Sequence, residues 1–146
     1  MESFFTSEAL DRESLRRAVE EDGAGALLLF EGTVRNHSEG REVLYLEYEA
    51  YEAMAERMIE ELVKSAFRKW SPEEIKILHR LGGVELGEIA VAIEVRSIHR
   101  DEAYQASRYL IEGIKQKIPI WKKEYFEDGT SEWSYCPAYV ELRTSA

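Results

Sequence analysis

A chain of 146 residues, 45% hydrophobic and 33% charged, has the size and balance of one compact domain with a real core. Its 19 basic and 29 acidic side chains leave a net charge of −10, which argues against nucleic acid as a partner. No apolar stretch approaches the ~18 residues that span a bilayer, and Met1-Glu2-Ser3-Phe4-Phe5 has no basic start followed by an apolar run. The single cysteine, Cys136, can neither form an internal disulfide nor build a thiolate metal site alone. These absences point to the cytoplasm and to a protein without a membrane segment.

Taken in chain order, Phe4 to Thr6 suggests a short strand. Asp11 is a fitting N-cap, with Leu15, Ala18 and Val19 at helical spacing until Gly23 and Gly25. Ala26 to Val34 is an apolar run with β character, expected to be a mostly buried strand. Asn36 to Gly40 is expected to be a loop. Val43 to Ala50 alternates, with Leu44, Leu46 and Tyr48 on one face and Tyr45, Glu47 and Glu49 on the other. Met54, Met58, Leu62 and Ala66 then recur every four residues beside Ile59, Val63, Phe67 and Trp70, a helix that Ser71-Pro72 ends.

Ile75 to Leu81 reads as a strand and Gly82-Gly83 as a turn. Ile89 to Arg96 is a second strongly apolar strand. A helix starts near Asp101, buries Ala103, Ala106, Leu110 and Ile114, and must stop before Pro119. Ile120 to Phe126 and Glu132 to Tyr135 look like two strands joined by the Asp128-Gly129 turn. No repeat or Pro/Ser linker divides the chain, so residues 1–146 are expected to form one domain. Several strands follow one another directly, which indicates an α+β fold with a mainly antiparallel or mixed sheet.

No dinucleotide fingerprint, P-loop or zinc-protease helix is present. His37, His79 and His99 fall on separate loops and strand ends without close ligand spacing, so no metal site is expected. Three basic segments remain, each at the boundary of a rigid element. They are Gly32 to His37, Ser97 to Arg100, and Lys115 to Glu124. A helix N-terminus beside His99 and Arg100, with Arg35 adding a bidentate contact, could hold a phosphate. Lys115 near a helix C-terminus is equally explained by dipole capping. Lys122 and Lys123 are consecutive on a strand and point to opposite faces, with Trp121 on the side of Lys123. By spacing alone this segment resembles an ordinary solvated edge strand.

These segments together resemble the catalytic, large subunit of molybdopterin synthase, the family called MoaE. Phe30-Glu31-Gly32-Thr33-Val34-Arg35-Asn36-His37 is similar to that family's first signature. Leu46-Glu47-Tyr48-Glu49-Ala50-Tyr51 followed by Met54, and Ile77-Leu78-His79-Arg80-Leu81-Gly82, resemble its next segments. His99-Arg100 followed by Ala103, and Lys115 through Glu124, resemble its pterin and lysine segments. The resemblance runs from about Gly25 to Trp133.

It implies an α/β-hammerhead fold and a heterotetramer with a catalytic homodimer at its centre. It also implies a small ubiquitin-like carrier whose C-terminal Gly-Gly thiocarboxylate threads into the catalytic subunit. The substrate implied is cyclic pyranopterin monophosphate (precursor Z), which accepts two sulfurs and becomes the dithiolene molybdopterin, with no cofactor of the enzyme's own. Lys115 and Lys122 fall on the family's catalytic lysines. Arg35, His99 and Arg100 fall on the residues that hold pterin and phosphate, in a pocket completed across the dimer. His37, Lys117 and Lys123 are given supporting roles. The C-terminal Arg143-Thr144-Ser145-Ala146 lacks Gly-Gly, so the chain is not expected to be the carrier. Cys136 is expected to be a small packing or surface residue rather than a sulfur relay. Two other readings stay open on the residues: a carrier-binding scaffold without catalysis, and a phosphate-ligand binding module.

Overall fold

The computed structural model describes residues 3–17 and 23–135. Cys136, the four C-terminal residues, and Ala18 and Val19 of the first expected helix lie outside the described residues. In chain order the elements are β1 (Phe5–Thr6), α1 (Arg12–Arg17), β2 (Ala26–Thr33), β3 (His37–Ser38), β4 (Arg41–Ala50), α2 (Glu52–Trp70) and β5 (Glu74–Arg80). They continue with β6 (Gly82–Glu85), β7 (Ile89–Ser97), α3 (Arg100–Lys117), β8 (Ile120–Phe126) and β9 (Ser131–Ser134).

The strands form two sheets. The first has the order β1-β5-β7-β2, with β1 parallel to β5 and the other pairs antiparallel. The second runs β3-β4-β8-β9, with β6 also paired to β4. This is the α+β architecture with mainly antiparallel sheets that the succession of strands requires.

β7 is buried along almost its whole length because both of its faces are covered. Val91, Ile93 and Val95 face the helices and pack with Ile59 and Ala66 of α2 and Leu110 and Ile114 of α3. Ala92, on the other face, packs beside Leu15 of α1. A strand sealed on both sides loses the alternation of a half-buried one, which is why Ile89 to Arg96 is apolar almost throughout. A second cluster, Val34, Val43, Leu46, Tyr48, Val84, Ala90 and Phe126, fills the space between the two sheets.

Several expectations need correction. β2 is not mostly buried: it pairs on one side only, with β7, and leaves Leu27 and Phe30 45% and 36% exposed. The expected loop after Asn36 contains β3, a short strand paired with β4. Gly82-Gly83 is not merely a turn. It opens β6, which pairs with Tyr45–Tyr48 of β4, and Gly82 takes a φ of +89° where the chain crosses between sheets.

In β4 the register shifts between Val43 and Tyr45. The extra residue reverses the alternation, so Val43 is buried and Leu44 is exposed. In α2 the buried stripe is Ala55, Ile59, Leu62 and Ala66, whereas Met54 and Phe67 stand outside it. A helix turns 3.6 residues per revolution, so a strict four-residue series drifts off the core face. The solvated edge-strand reading of the lysine segment also fails, because β8 is paired with β4 on one side and β9 on the other.

Two local devices fix the ends of the site elements. Arg41 lies 3.6 Å over the Phe126 ring and pairs with Asp128 and Glu132, fastening the β8–β9 turn to β4. Gly25 approaches the chain just before α3 so closely that a Cβ there would lie 2.5 Å from the Ile98 carbonyl oxygen. A backbone atom cannot swing aside as a side chain can. Gly25→Ala is therefore expected to destabilise the protein by about 1–3 kcal/mol, measured by urea unfolding; an unchanged midpoint would mean that the approach is not tight.

Candidate functional site

The site lies at the seam between the two sheets, where α3 ends and β8 begins. Lys115 stands in the last turn of α3. Helix geometry must break at Ile118, whose extended φ of −82° and ψ of 136° suit the residue before Pro119. The chain then enters β8, whose register places Lys122 opposite Tyr48 of β4. Tyr48 is 6% exposed, so this is the inner face of the sheet, and Lys122 and Glu124 share it. Lys123 falls on the outer face opposite Glu47, with its amine near the Tyr125 and Trp133 rings.

Two small cavities share Tyr48, Lys115 and Lys122 as a common wall. One, of about 120 Å³, is aromatic in character, with His79, Trp121 and Tyr135 among its lining. The other, of about 160 Å³, is polar, with Thr33, Arg35, His37 and Glu124. Each falls below the roughly 300 Å³ usual for a small-molecule site. The cleft has room for a narrow segment or for one part of a ligand.

The structure brings Arg35, His37, Lys115 and Lys122 together and leaves the other sequence candidates elsewhere. His99 and Arg100 are exposed at the start of α3. Lys115 lies fifteen residues further along, about 22 Å at the helical rise. Lys117 lines a separate surface groove with Met54, Met58 and Tyr109. The sequence-predicted cations thus do not all converge on one cleft of this chain.

Tyr48, Glu124 and His79 line the cavities and were not among the sequence-predicted site residues. Tyr48 and Glu124 were within reach of strand alternation, since each lies on the face that also carries Leu46 or Lys122. His79 was not, because only the assembled sheets show that this strand end is interior. His79 is 2% exposed, between the rings of Phe5 and Tyr48.

Electrostatics follow from this crowding. The pKa of Lys115 is held below the ordinary lysine value, first by desolvation and then by the charge of Lys122. Lys115 as a residue still reaches solvent, so screening moderates the effect. Burial, reinforced by the nearby Glu124 carboxylate, pushes the Tyr48 phenol up to about 12 and keeps it a neutral hydroxyl. Burial, with a smaller contribution from the Lys115 charge, lowers His79 to about 4 despite its hydrogen bond to the Arg80 carbonyl. Cations at a partly dry wall can bind an anion, stabilise developing negative charge or deliver a proton. Among the described residues no group of three or more His, Cys, Asp or Glu is arranged to hold a metal ion, and no helix is long and apolar enough to cross a membrane.

Fold and site together define an α+β protein that gathers lysines at a cleft suited to an anionic ligand. Comparison with known proteins makes the class specific. The family model described as MoaE protein matches residues 5–117. A molybdopterin synthase catalytic subunit of Bacillus subtilis is 45% identical over 134 residues, 91% of this chain and 85% of that one. The protein of the same description from Bos taurus is 43% identical over 129 residues, 88% of this chain and 68% of the other. Among solved structures, molybdopterin synthase from Staphylococcus aureus aligns with a TM-score of 0.83 at 39% identity, over 90% of this chain and 96% of that one. A chain from the complex of subunits 1 and 2 of molybdopterin-converting factor from Helicobacter pylori aligns with a TM-score of 0.72 at 25% identity, covering 90% and 87%. This chain belongs to the MoaE family, the molybdopterin synthase catalytic subunits.

The buried imidazole gives the site a measurable acid sensitivity. In the folded protein His79 takes up its proton only near pH 4, against about 6.5 when unfolded. Between those values the unfolded chain binds more protons, so native stability is full above pH 6.5 and falls as pH drops toward 4. The loss attributable to this ring is on the order of 3 kcal/mol. Urea unfolding at several pH values is expected to show a steeper acid loss in the native protein than in His79→Asn; equal slopes would contradict the assignment.

Proposed function

We propose that this chain is the catalytic subunit of a molybdopterin synthase and acts as a sulfurtransferase in molybdenum cofactor biosynthesis. It takes two sulfurs in turn from the thiocarboxylated Gly-Gly terminus of a small ubiquitin-like carrier. The acceptor is cyclic pyranopterin monophosphate, precursor Z, which becomes the molybdopterin dithiolene. The observation that carries this reading is the shared wall of Tyr48, Lys115 and Lys122 between an aromatic and a polar cavity. An extended Gly-Gly tail, without side chains, suits the narrow aromatic cavity. The pterin phosphate suits the polar one, where Arg35 and His37 stand beside the lysines.

The lysines then meet both substrates. Transfer from a thiocarboxylate passes through anionic species, and opening the cyclic phosphate adds charge. Lys115, its pKa depressed, serves as the general acid/base or carbonyl-activating group near the carrier terminus. Lys122 supports the same transition state with its charge. The Helicobacter pylori relative was solved as a complex of subunits 1 and 2, which supports a small protein partner.

The separation of His99 and Arg100 from Lys115 supports a homodimer at the centre of the assembly. In it the far end of α3 serves the partner's site, and pterin binding is shared between protomers. A scaffold without catalysis would bind the carrier and make no product. A phosphate-ligand module would ignore the carrier.

Purified chain mixed with thiocarboxylated carrier and precursor Z is expected to yield dithiolene product, with Lys115→Ala losing about a hundredfold or more in rate. Full activity in Lys115→Ala would overturn its catalytic role. Lys115→Ala and Arg100→Ala proteins, inactive alone, are expected to regain activity when unfolded and refolded together. Random pairing leaves about a quarter of the sites intact. No recovery would contradict the shared pocket.

A further inference from the structure

His79 is a buried titratable group that the proposed reaction does not use. Its Nδ1 lies 2.8 Å from the Arg80 carbonyl oxygen. A carbonyl only accepts, so Nδ1 carries the proton, and the neutral ring is left with Nε2 as a bare acceptor. The ring cannot turn freely, because Phe5 packs at 6.1 Å and Tyr48 edge-on at 5.0 Å between centroids. His79 and Lys115 line the same small cavity, from β5 and α3 respectively.

We propose that His79 is a positioning residue for Lys115: its imidazole, anchored by the Arg80 carbonyl, offers the cavity a fixed hydrogen-bond acceptor for the Lys115 amine. This rests on the reading of Lys115 as the working amine of the site. The chemistry of the walls favours it. Lys115 needs an acceptor that adds no second positive charge, since Lys122 already repels it. Glu124 is the carboxylate of the polar cavity, beside Lys122, Arg35 and His37, whereas Tyr48 shares both cavities. On the aromatic side His79 supplies a neutral acceptor, and burial keeps it neutral across the working pH range. A lysine stem has four rotatable carbons, so a fixed acceptor selects the rotamers that keep the amine inside the cleft.

Two substitutions separate this role from a purely structural one. In His79→Asn the side-chain amide can reproduce the Nδ1 bond to Arg80 but cannot reach the Nε2 position. In His79→Gln the amide oxygen reaches the Nε2 position and the Arg80 bond is lost. The readouts are steady-state kinetics with carrier and precursor Z, and the pH dependence of Lys115 acetylation by acetic anhydride. Mass spectrometry follows the acetylation, with exposed Lys64 as internal reference.

For His79→Asn the expected result is a fall in kcat of about tenfold to a hundredfold with KM for the pterin unchanged. The unheld amine swings out of the cleft, regaining water and leaving the Lys122 charge behind, so the apparent pKa of Lys115 rises toward the ordinary lysine value. His79→Gln is expected to stay closer to the native protein in both. The opposite order, with His79→Asn native-like and His79→Gln impaired, would overturn the proposal. So would an unchanged Lys115 titration in folded His79→Asn. Should the native protein make no dithiolene, the sulfur-transfer reading fails while the titration still decides the His79 contact.

Discussion

Two lysine side chains share one cavity wall, and the fold holds Lys115 there against partial desolvation and the charge of Lys122. Left to its own preference, Lys115 would extend from the end of α3 and cap the helix dipole. Lys122 could be solvated if β8 were an edge strand. The arrangement survives because each backbone is pinned by apolar packing that does not involve the amines. α3 is anchored through Ala103, Ala106, Leu110 and Ile114, and β8 is hydrogen-bonded on both sides.

The two-sheet arrangement explains why the site lies where it does. Tyr48 belongs to the second sheet and His79 to the first, yet their rings meet edge to face. That contact closes the seam beneath the lysines. The chain passes from the first sheet to the second at Leu81 and Gly82, and after α3 it enters the second sheet again through Pro119. α3 connects two regions of different character. Its C-terminal end meets the cleft, and its N-terminal end presents His99 and Arg100 to solvent.

Most of the fold was legible in the sequence because most elements obey one strong local rule. Alternation marks β4, Pro119 terminates α3, and Asp128-Gly129 marks the turn into β9. The misreadings occur where tertiary structure intervenes. The extra residue in β4 moves Leu44 outward, which no periodicity reveals. β2 is apolar enough for a central strand, and only the strand order shows that it stands at an edge. At the site, alternation put Lys122 and Lys123 on opposite faces without saying which was inner. That choice depends on the pairing of Lys122 with Tyr48. The sequence weighed His79 only as a metal ligand and within a family segment; its place in the cavity was not legible, because its ring neighbours come from β1 and β4, far away in sequence. The grouping of Lys115 with Lys122 came from family resemblance; seven residues and a helix end separate them, and no spacing rule joins such a pair.

The central claim is that a carrier's tail enters the aromatic cavity and ends at the lysine wall. It is tested most directly by a carrier whose C-terminal glycine is activated as an acyl ester in place of the thiocarboxylate. An amine held at the terminus will take the acyl group and form an amide. Mass spectrometry of the mixture is predicted to show the carrier joined to Lys115 or Lys122. Attachment confined to lysines away from the cleft, such as Lys64 or Lys117, would contradict the account.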